Sequence, residues 1–146
     1  LIMEPLHYLL MNTHSMLSRG ILSEAAKIGL TPGQPKILEF LLAKTEADQK
    51  TIAAYCEIEP ATVGSILLRM EDAGLVVRRQ HAGNRRSLYV SLTESGQQAA
   101  HSMEHIFEQQ EDWAIADLAP EEVQHLKITL RKMCATMSDA SYRKKD

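Results

Sequence analysis

Arginines cluster in the middle of this chain of 146 residues. Residues 60–93 hold five arginines against two acids, a formal charge of +3, and these arginines are Arg69, Arg78, Arg79, Arg85 and Arg86. Residues 94–142 hold nine acids against three basic residues, a formal charge of −6. The net charge of −3 therefore conceals a basic centre. Guanidinium groups pair well with phosphate, so the centre predicts contact with a polyanion, with a solvated charged face as the alternative.

Two short helices joined by a tight turn would position this chemistry. Asp48 is a good N-cap for a helix over residues 49–55, and residues 57–59 break it before Pro60 opens a second helix that runs to Glu71. Apolar residues recur along the second helix at three- and four-residue steps and predict its buried stripe: Val63, Ile66, Leu67 and Met70. This pattern is that of a helix-turn-helix.

The exposed face of that second helix is expected to enter the major groove of DNA. It would present Ala61, Thr62, Gly64, Ser65 and Arg69. Thr62 and Ser65 can hydrogen-bond bases or phosphates, Gly64 allows close approach of the backbone, and Arg69 can reach a phosphate or brace the next element. Ordinary exposed polar residues are the alternative interpretation.

A β-hairpin follows directly and completes the pattern of a winged helix. Residues 75–80 and 87–92 are β-prone, and residues 81–86 between them form a Gly/Asn turn with a charged tip. Arg86 and Arg85 are expected to enter a narrow minor groove, with a solvated turn as the alternative. Arg78 and Arg79 alternate faces along a strand, so only one can face DNA, and Arg79 is assigned that role.

Long helices flank this module. Residues 5–28 predict the first, Thr31 and Pro32 open the next, residues 94–116 predict a fifth helix with Thr93 as its cap, and Pro120 opens a sixth. The sixth carries apolar residues at steps of three and four: Val123, Leu126, Leu130, Met133 and Met137. A module of this size cannot bury all these stripes, so we expect a homodimer. The predicted division is 1–30 for dimerisation, 31–93 for DNA binding and 94–146 for dimerisation.

Specific motifs in this order resemble the MarR family along nearly the whole chain. The matching segments are Thr31-Pro32, Ile52-Ala53-Ala54, Pro60-Ala61-Thr62-Val63, Arg69-Met70-Glu71, and the wing from Asn84-Arg85-Arg86 through Leu92-Thr93 to Gly96. The resemblance implies a mainly α fold with a small β-wing, and a transcriptional regulator, a repressor, on a pseudo-palindromic operator. It also implies release by a small phenolic or apolar acid, for which His7, Met11 and His14 on the first helix are the candidate contacts.

This sequence departs from the family pattern at three positions. Asn84 stands where the family has Asp, Ser65 where many members have Arg, and Leu68 where many have Asp. Asn84 lacks the carboxylate that would pair with a nearby arginine, so these departures bear on which bases are read and on how the wing is braced.

Other classes of function find little support. No Gly-rich phosphate loop, nucleophile elbow or paired-carboxylate site is present, which argues against an enzyme or a bound cofactor.

His101 and His105 have a spacing that can hold zinc, but a surface pair is the commoner outcome and no metal is predicted. Cys56 and Cys134 match no metal or disulfide spacing and are expected to be inert buried thiols. With no membrane span and no signal peptide predicted, the expected compartment is the cytoplasm. A winged helix used for protein–protein contact without a ligand response is the remaining alternative.

Overall fold

The computed structural model describes residues 2–139, and for residues 84–87 it describes the backbone alone. Six helices and three strands follow in chain order within that range. They are α1 (Leu6–Lys27), α2 (Gln34–Lys44), β1 (Glu46–Asp48), α3 (Gln49–Cys56), α4 (Pro60–Asp72), β2 (Val76–His81), β3 (Asn84–Leu92), α5 (Glu94–Ala114) and α6 (Pro120–Ser138). The mainly α fold with a small β-wing is confirmed.

The helix-turn-helix forms because α3 and α4 each bury one stripe and expose the other. Asp48 caps α3 as predicted, since its Oδ1 accepts a hydrogen bond of 2.8 Å from the backbone N of Thr51. Glu57 ends α3 in the left-handed region with φ 54°. The predicted stripe of α4 is buried at Val63, Leu67 and Met70 and half-buried at Ile66. Ile52, Ala53 and Cys56 of α3 are buried as well. They join Ile37, Leu38 and Leu41 of α2 in one hydrophobic core.

The sheet is larger than the predicted hairpin. Its strand order is β1-β3-β2, and both pairings are antiparallel. The unpredicted strand β1 adds to the outer edge of β3, where Ala47 faces Val90 across the ladder. The predicted turn over residues 81–86 was too long, because β2 and β3 extend until His81 pairs with Asn84. Only Ala82 and Gly83 remain in the turn, and Gly83 supplies a positive φ of 82°.

The start of α2 also differs from prediction. Thr31 and Pro32 lie in the preceding turn, and Gly33, with φ 91°, is the N-cap. The Gln34 side chain reaches back and its Oε1 accepts a hydrogen bond of 3.2 Å from Thr31 N. The prediction that Thr31 and Pro32 open this helix is therefore wrong by two residues, because a turn closed by a hydrogen bond from Gln34 N to the carbonyl of Thr31 precedes the first helical residue.

The segment from Leu92 to Gly96 connects the wing to the end of α4. Thr93 Oγ1 donates a 2.6 Å hydrogen bond to the carbonyl of Gly74 and accepts one of 3.0 Å from Gly96 N, so Thr93 caps α5 as predicted. A Cβ at Gly96 would collide with the backbone carbonyl of Leu75. Glycine at this position lets the first turn of α5 lie directly against the start of the wing.

The chain divides into two compact units, Leu1–Gln110 and Glu111–Asp146. In the first unit, α1 and α5 approach closely where Gly20 meets the side chain of the buried Gln110. Helix α6, in the second unit, buries none of its residues. No helix in the described part of the chain combines the length and apolar character that crossing a bilayer requires.

Candidate nucleic-acid interface

The outward side of α4 brings together four of the residues predicted to contact DNA. Ala61, Thr62, Ser65 and Arg69 are all exposed. They line one groove of about 530 Å³ with Thr31, Pro32 and Ile66. Ser65 Oγ lies 3.4 Å from the carbonyl of Ala61, so its hydroxyl stays close to the helix backbone. We call this outward side of α4 the α4 ridge. Its two hydroxyls and one guanidinium can bind the polar edges of bases and the phosphates beside them.

Gly64 does not lie on that ridge. It is half-buried and faces α3, where an added Cβ would stand 3.0 Å from Gln49 Nε2. The same Gln49 Nε2 donates a 3.1 Å hydrogen bond to the carbonyl of Pro60, the first residue of α4. The glycine therefore permits close packing of the two helices of the helix-turn-helix, a role that sequence reasoning missed because a helical glycine gives no sign of its neighbour.

The two arginines of β2 have separate environments. Arg78 faces inward and its guanidinium pairs with the Glu71 carboxylate of α4, with Nη2 and Oε1 3.3 Å apart. Arg79 is exposed on the outer face of the sheet. The side chains of Asn84, Arg85 and Arg86 lie outside the described residues. Arg78 and Glu71 thus brace the wing against α4, and Arg79 is the β2 arginine available to a ligand.

A second cavity, the α1–α2 cleft, lies within the first unit and measures about 380 Å³. Apolar side chains from three helices line it, among them Leu17, Ile21 and Phe107. His14 and Lys36 add a basic side, and Lys36 was not singled out from the sequence because nothing in its spacing marks it. Of the three residues predicted to bind a ligand, only His14 lines this cleft. His7 and Met11 are exposed nearer the N-terminus of α1.

The cysteine and histidine candidates take ordinary environments. Cys56 is buried, and burial raises the pKa of its thiol, which keeps it protonated and unreactive. Cys134 is exposed, contrary to the expectation of a buried thiol, because α6 buries no residue. His101 Nδ1 lies 2.8 Å from Glu104 Oε1 on the surface of α5. Among residues 2–139, with the side chains of 84–87 set aside, no three His, Cys, Asp or Glu side chains are placed to hold a metal ion.

A helix-turn-helix braced against a hairpin, with hydroxyls and arginine on its open side, defines a winged-helix DNA-binding protein. The MarR family model matches residues 28–87. A homoprotocatechuate degradative operon repressor of Escherichia coli is 32% identical over 107 residues, which are 73% of this chain and 72% of that relative. The repressor Rv2887 of Mycobacterium tuberculosis is 26% identical over 129 residues, 88% of this chain and 93% of its own.

Solved structures agree in fold. Rv2887 in complex with salicylic acid superposes with a TM-score of 0.72 at 25% identity and covers 90% of this chain and 97% of that one. The Staphylococcus aureus MepR–DNA complex gives a TM-score of 0.82 at 24% identity, over 92% of this chain and 99% of MepR. The chain belongs to the MarR family. It is a DNA-binding transcriptional regulator and not an enzyme.

Proposed function

We propose that this protein is a homodimeric repressor that acts in the cytoplasm on a pseudo-palindromic operator. The main support for the proposal is the α4 ridge, which exposes Thr62, Ser65 and Arg69 along one groove. The opposite side of the same helix is buried in the core. The second helix of a helix-turn-helix enters the major groove with its N-terminal residues nearest the bases. Two copies related by a two-fold axis would read half-sites about one helical turn apart.

The exposed apolar surface of the outer helices supports the dimer. Large apolar side chains that would be costly to leave in water stay exposed on α1 and α6: Leu6, Leu9, Leu10, Met11, Met16, Leu126, Leu130 and Met137. A soluble monomer rarely leaves a run of large apolar side chains exposed along a helix. A second copy of the same chain, which offers the same stripes, is the occupant that family membership favours.

Binding to DNA is tested by fluorescence anisotropy with a fragment from upstream of the protein's own gene, at two salt concentrations. Arg69→Ala and Arg86→Ala should each weaken binding and lower the slope of log K against log salt by about 1 for each phosphate that is no longer neutralised. Arg131→Ala, at an exposed position of α6, is the matched control and should leave both quantities unchanged. Binding that is absent, or that ignores salt, would favour the protein-interaction alternative.

The α1–α2 cleft is the candidate effector site. Its apolar wall fits a small aromatic ring, and His14 and Lys36 offer positive charge or hydrogen bonds to a carboxylate. The relative Rv2887 has been solved with salicylic acid. We assign this cleft to a small aromatic or apolar acid, with Lys36 added to the predicted His14 as a contact, and with His7 and Met11 outside it.

The turn between α1 and α2 offers a route from the cleft to DNA. Pro32 and Gly33 line the cleft, and Pro32 also lines the groove beside α4. An added Cβ at Gly33 would stand 2.6 Å from Ile66 Cδ1 of α4, so the turn lies against the recognition helix. An effector that binds better when this turn is displaced would lower DNA affinity, because a ligand shifts conformations only by its differential affinity.

The effector assignment is tested with salicylate as the probe, by thermal shift and by release of bound DNA. Salicylate should stabilise the wild type and weaken DNA binding. Lys36→Met should reduce both effects, whereas Lys127→Met on α6 should reduce neither. If salicylate and a panel of aromatic carboxylates leave the wild type's melting temperature and DNA affinity unchanged, the cleft is not an effector site.

A further inference from the structure

Side chains from all three strands meet on the outer face of the sheet. His81 ends β2, Tyr89 lies in β3 and Glu46 begins β1. The rings of His81 and Tyr89 stack with their centroids 3.6 Å apart and their planes 5° from parallel. His81 Nε2 lies 2.9 Å from Glu46 Oε1. Since β3 is the middle strand, this contact spans the full width of the sheet.

We infer that His81 is a positioning residue, which holds the wing in its DNA-binding orientation through Glu46 and Tyr89. The inference rests on the proposed function, in which the wing contacts DNA. A hairpin that is held in place before binding loses less conformational freedom when it binds, so its contacts contribute more to affinity. The His81–Glu46 pair fastens the wing at its outer edge, and the Arg78–Glu71 pair fastens it to α4.

The clamp joins a histidine to a carboxylate, and a charged imidazole would hold Glu46 more strongly than a neutral one. Histidine is the side chain whose charge changes between about pH 5 and about pH 8. A carboxylate only accepts hydrogen bonds, so Nε2 carries a hydrogen in either state, and protonation adds charge attraction to Glu46.

Other ionisable groups share this face of the sheet. Asp48 and Arg79 pair with Tyr89 in the strand register, and Lys44 lines the same groove as Glu46 and Tyr89. Aspartate, arginine and lysine normally keep their charge between about pH 5 and about pH 8, and tyrosine stays neutral. Histidine is thus the one side-chain type among these groups whose charge ordinarily differs between the two ends of that range.

A test without DNA examines the clamp itself. Trypsin cleaves after lysine and arginine, and four arginines lie in the hairpin of the wing: Arg78, Arg79, Arg85 and Arg86. Glu46→Gln should speed cleavage in the wing about twofold to fivefold at about pH 6, the range expected when a surface ion pair is removed. Glu104→Gln removes a pair of the same chemistry, His101–Glu104, from α5 and should leave that rate unchanged. An unchanged rate in Glu46→Gln overturns the inference, whether or not the protein binds DNA.

A second test uses a tight-binding DNA selected from a random pool, at about pH 6 and about pH 8. If Glu46 is only a surface carboxylate, Glu46→Gln removes repulsion from phosphate and tightens binding. The clamp predicts the opposite sign, a Kd about twofold to fivefold higher at about pH 6. His81→Gln should flatten the difference between the two pH values, and the double variant should be no weaker than either single one.

A charge-preserving substitution completes the test. Arginine can stack on Tyr89 and pair with Glu46 without titrating, so His81→Arg should keep the low-pH affinity at both pH values. His101→Gln should retain the wild-type pH profile. Tighter binding by Glu46→Gln, additive effects of the two substitutions, or a flattened profile in His101→Gln each overturn the inference. Failure of the wild type to select any DNA refutes the proposed function instead.

Discussion

Helices α4 and α6 carry apolar residues at the same kind of spacing, yet only α4 buries them. Val63, Leu67 and Met70 of α4 are completely buried, whereas α6 buries nothing and leaves Leu126 47% exposed. α4 finds its partners in α2, α3 and the sheet of the same chain. The difference shows that amphipathic spacing predicts which side of a helix is apolar. It does not predict whether that side packs against the same chain or against a second protein.

The largest effect expected from this comparison is on stability. Leu67→Ala should lower the free energy of unfolding by about 2 to 5 kcal/mol, because it opens a cavity in a closed core. Leu126→Ala should act on association, raising the dimer dissociation constant and moving the urea midpoint most at low protein concentration. Denaturation at two concentrations, with sedimentation velocity, measures both. Gln124→Ala is the control on α6, and a Leu126→Ala protein that sediments and unfolds like wild type would refute a role of α6 in the dimer.

The next effect concerns the joint between α5 and the wing. Gly96→Ala should lower the free energy of unfolding by about 1 to 3 kcal/mol, because the added Cβ meets the backbone carbonyl of Leu75, which cannot move without disturbing the end of α4. Ser95→Ala, one residue earlier and exposed, should change it by no more than about 0.5 kcal/mol. Urea denaturation compares the two variants. Equal stability would mean that the close approach of α5 to Leu75 is not required.

A smaller, pH-dependent effect is expected at the start of α3. The hydrogen bond from Thr51 lowers the pKa of the Asp48 carboxyl. A carboxyl with a lowered folded pKa adds stability above its unfolded pKa of about 3.9 and loses that contribution as pH falls through the folded value. Asp48→Ala should therefore cost about 1 kcal/mol at neutral pH and less in acid.

The matched control for that cap is Asp48→Asn. Asparagine caps a helix about as well as aspartate and does not titrate. Its stability at neutral pH should be close to wild type, and it should lack the part of the acid-induced loss that Asp48 supplies. Thermal melts between about pH 7 and about pH 3 measure this. If Asp48→Ala is as stable as wild type at neutral pH, the Asp48 cap does not stabilise the start of α3.

Local patterns predicted most of the elements because they are short-range. The cap at Asp48, the proline at the start of α4 and the apolar steps of α4 all act within one or two turns of helix. Strand β1 was missed since three residues are too few to show an alternation, and it exists only through pairing with the distant strand β3. The start of α2 was misplaced because Gly33 has a positive φ and lies against Ile66 of α4, a contact that residue spacing does not reveal.

The candidate interface likewise has one part that the sequence predicts and one part that only the structure shows. Which residues of α4 face outward follows from helical period, so Thr62, Ser65 and Arg69 could be named from the sequence. The role of Gly64 depends on Gln49, and the presence of Lys36 beside His14 in the α1–α2 cleft depends on how two helices cross. Neither relation leaves a trace in residue spacing.

The arginine-rich centre of this chain was readable from the order of its residues alone, as were the helix-turn-helix and the hairpin after it. Charge and periodicity are properties of neighbouring residues, so the order of residues was enough to define the class of protein and the helix proposed to face DNA. The folded chain was needed to show that Arg78 braces the wing while Arg79 stays exposed, and that His81, Tyr89 and Glu46 meet across three strands. Those contacts depend on strand order and register, which long-range pairing sets and no local pattern encodes.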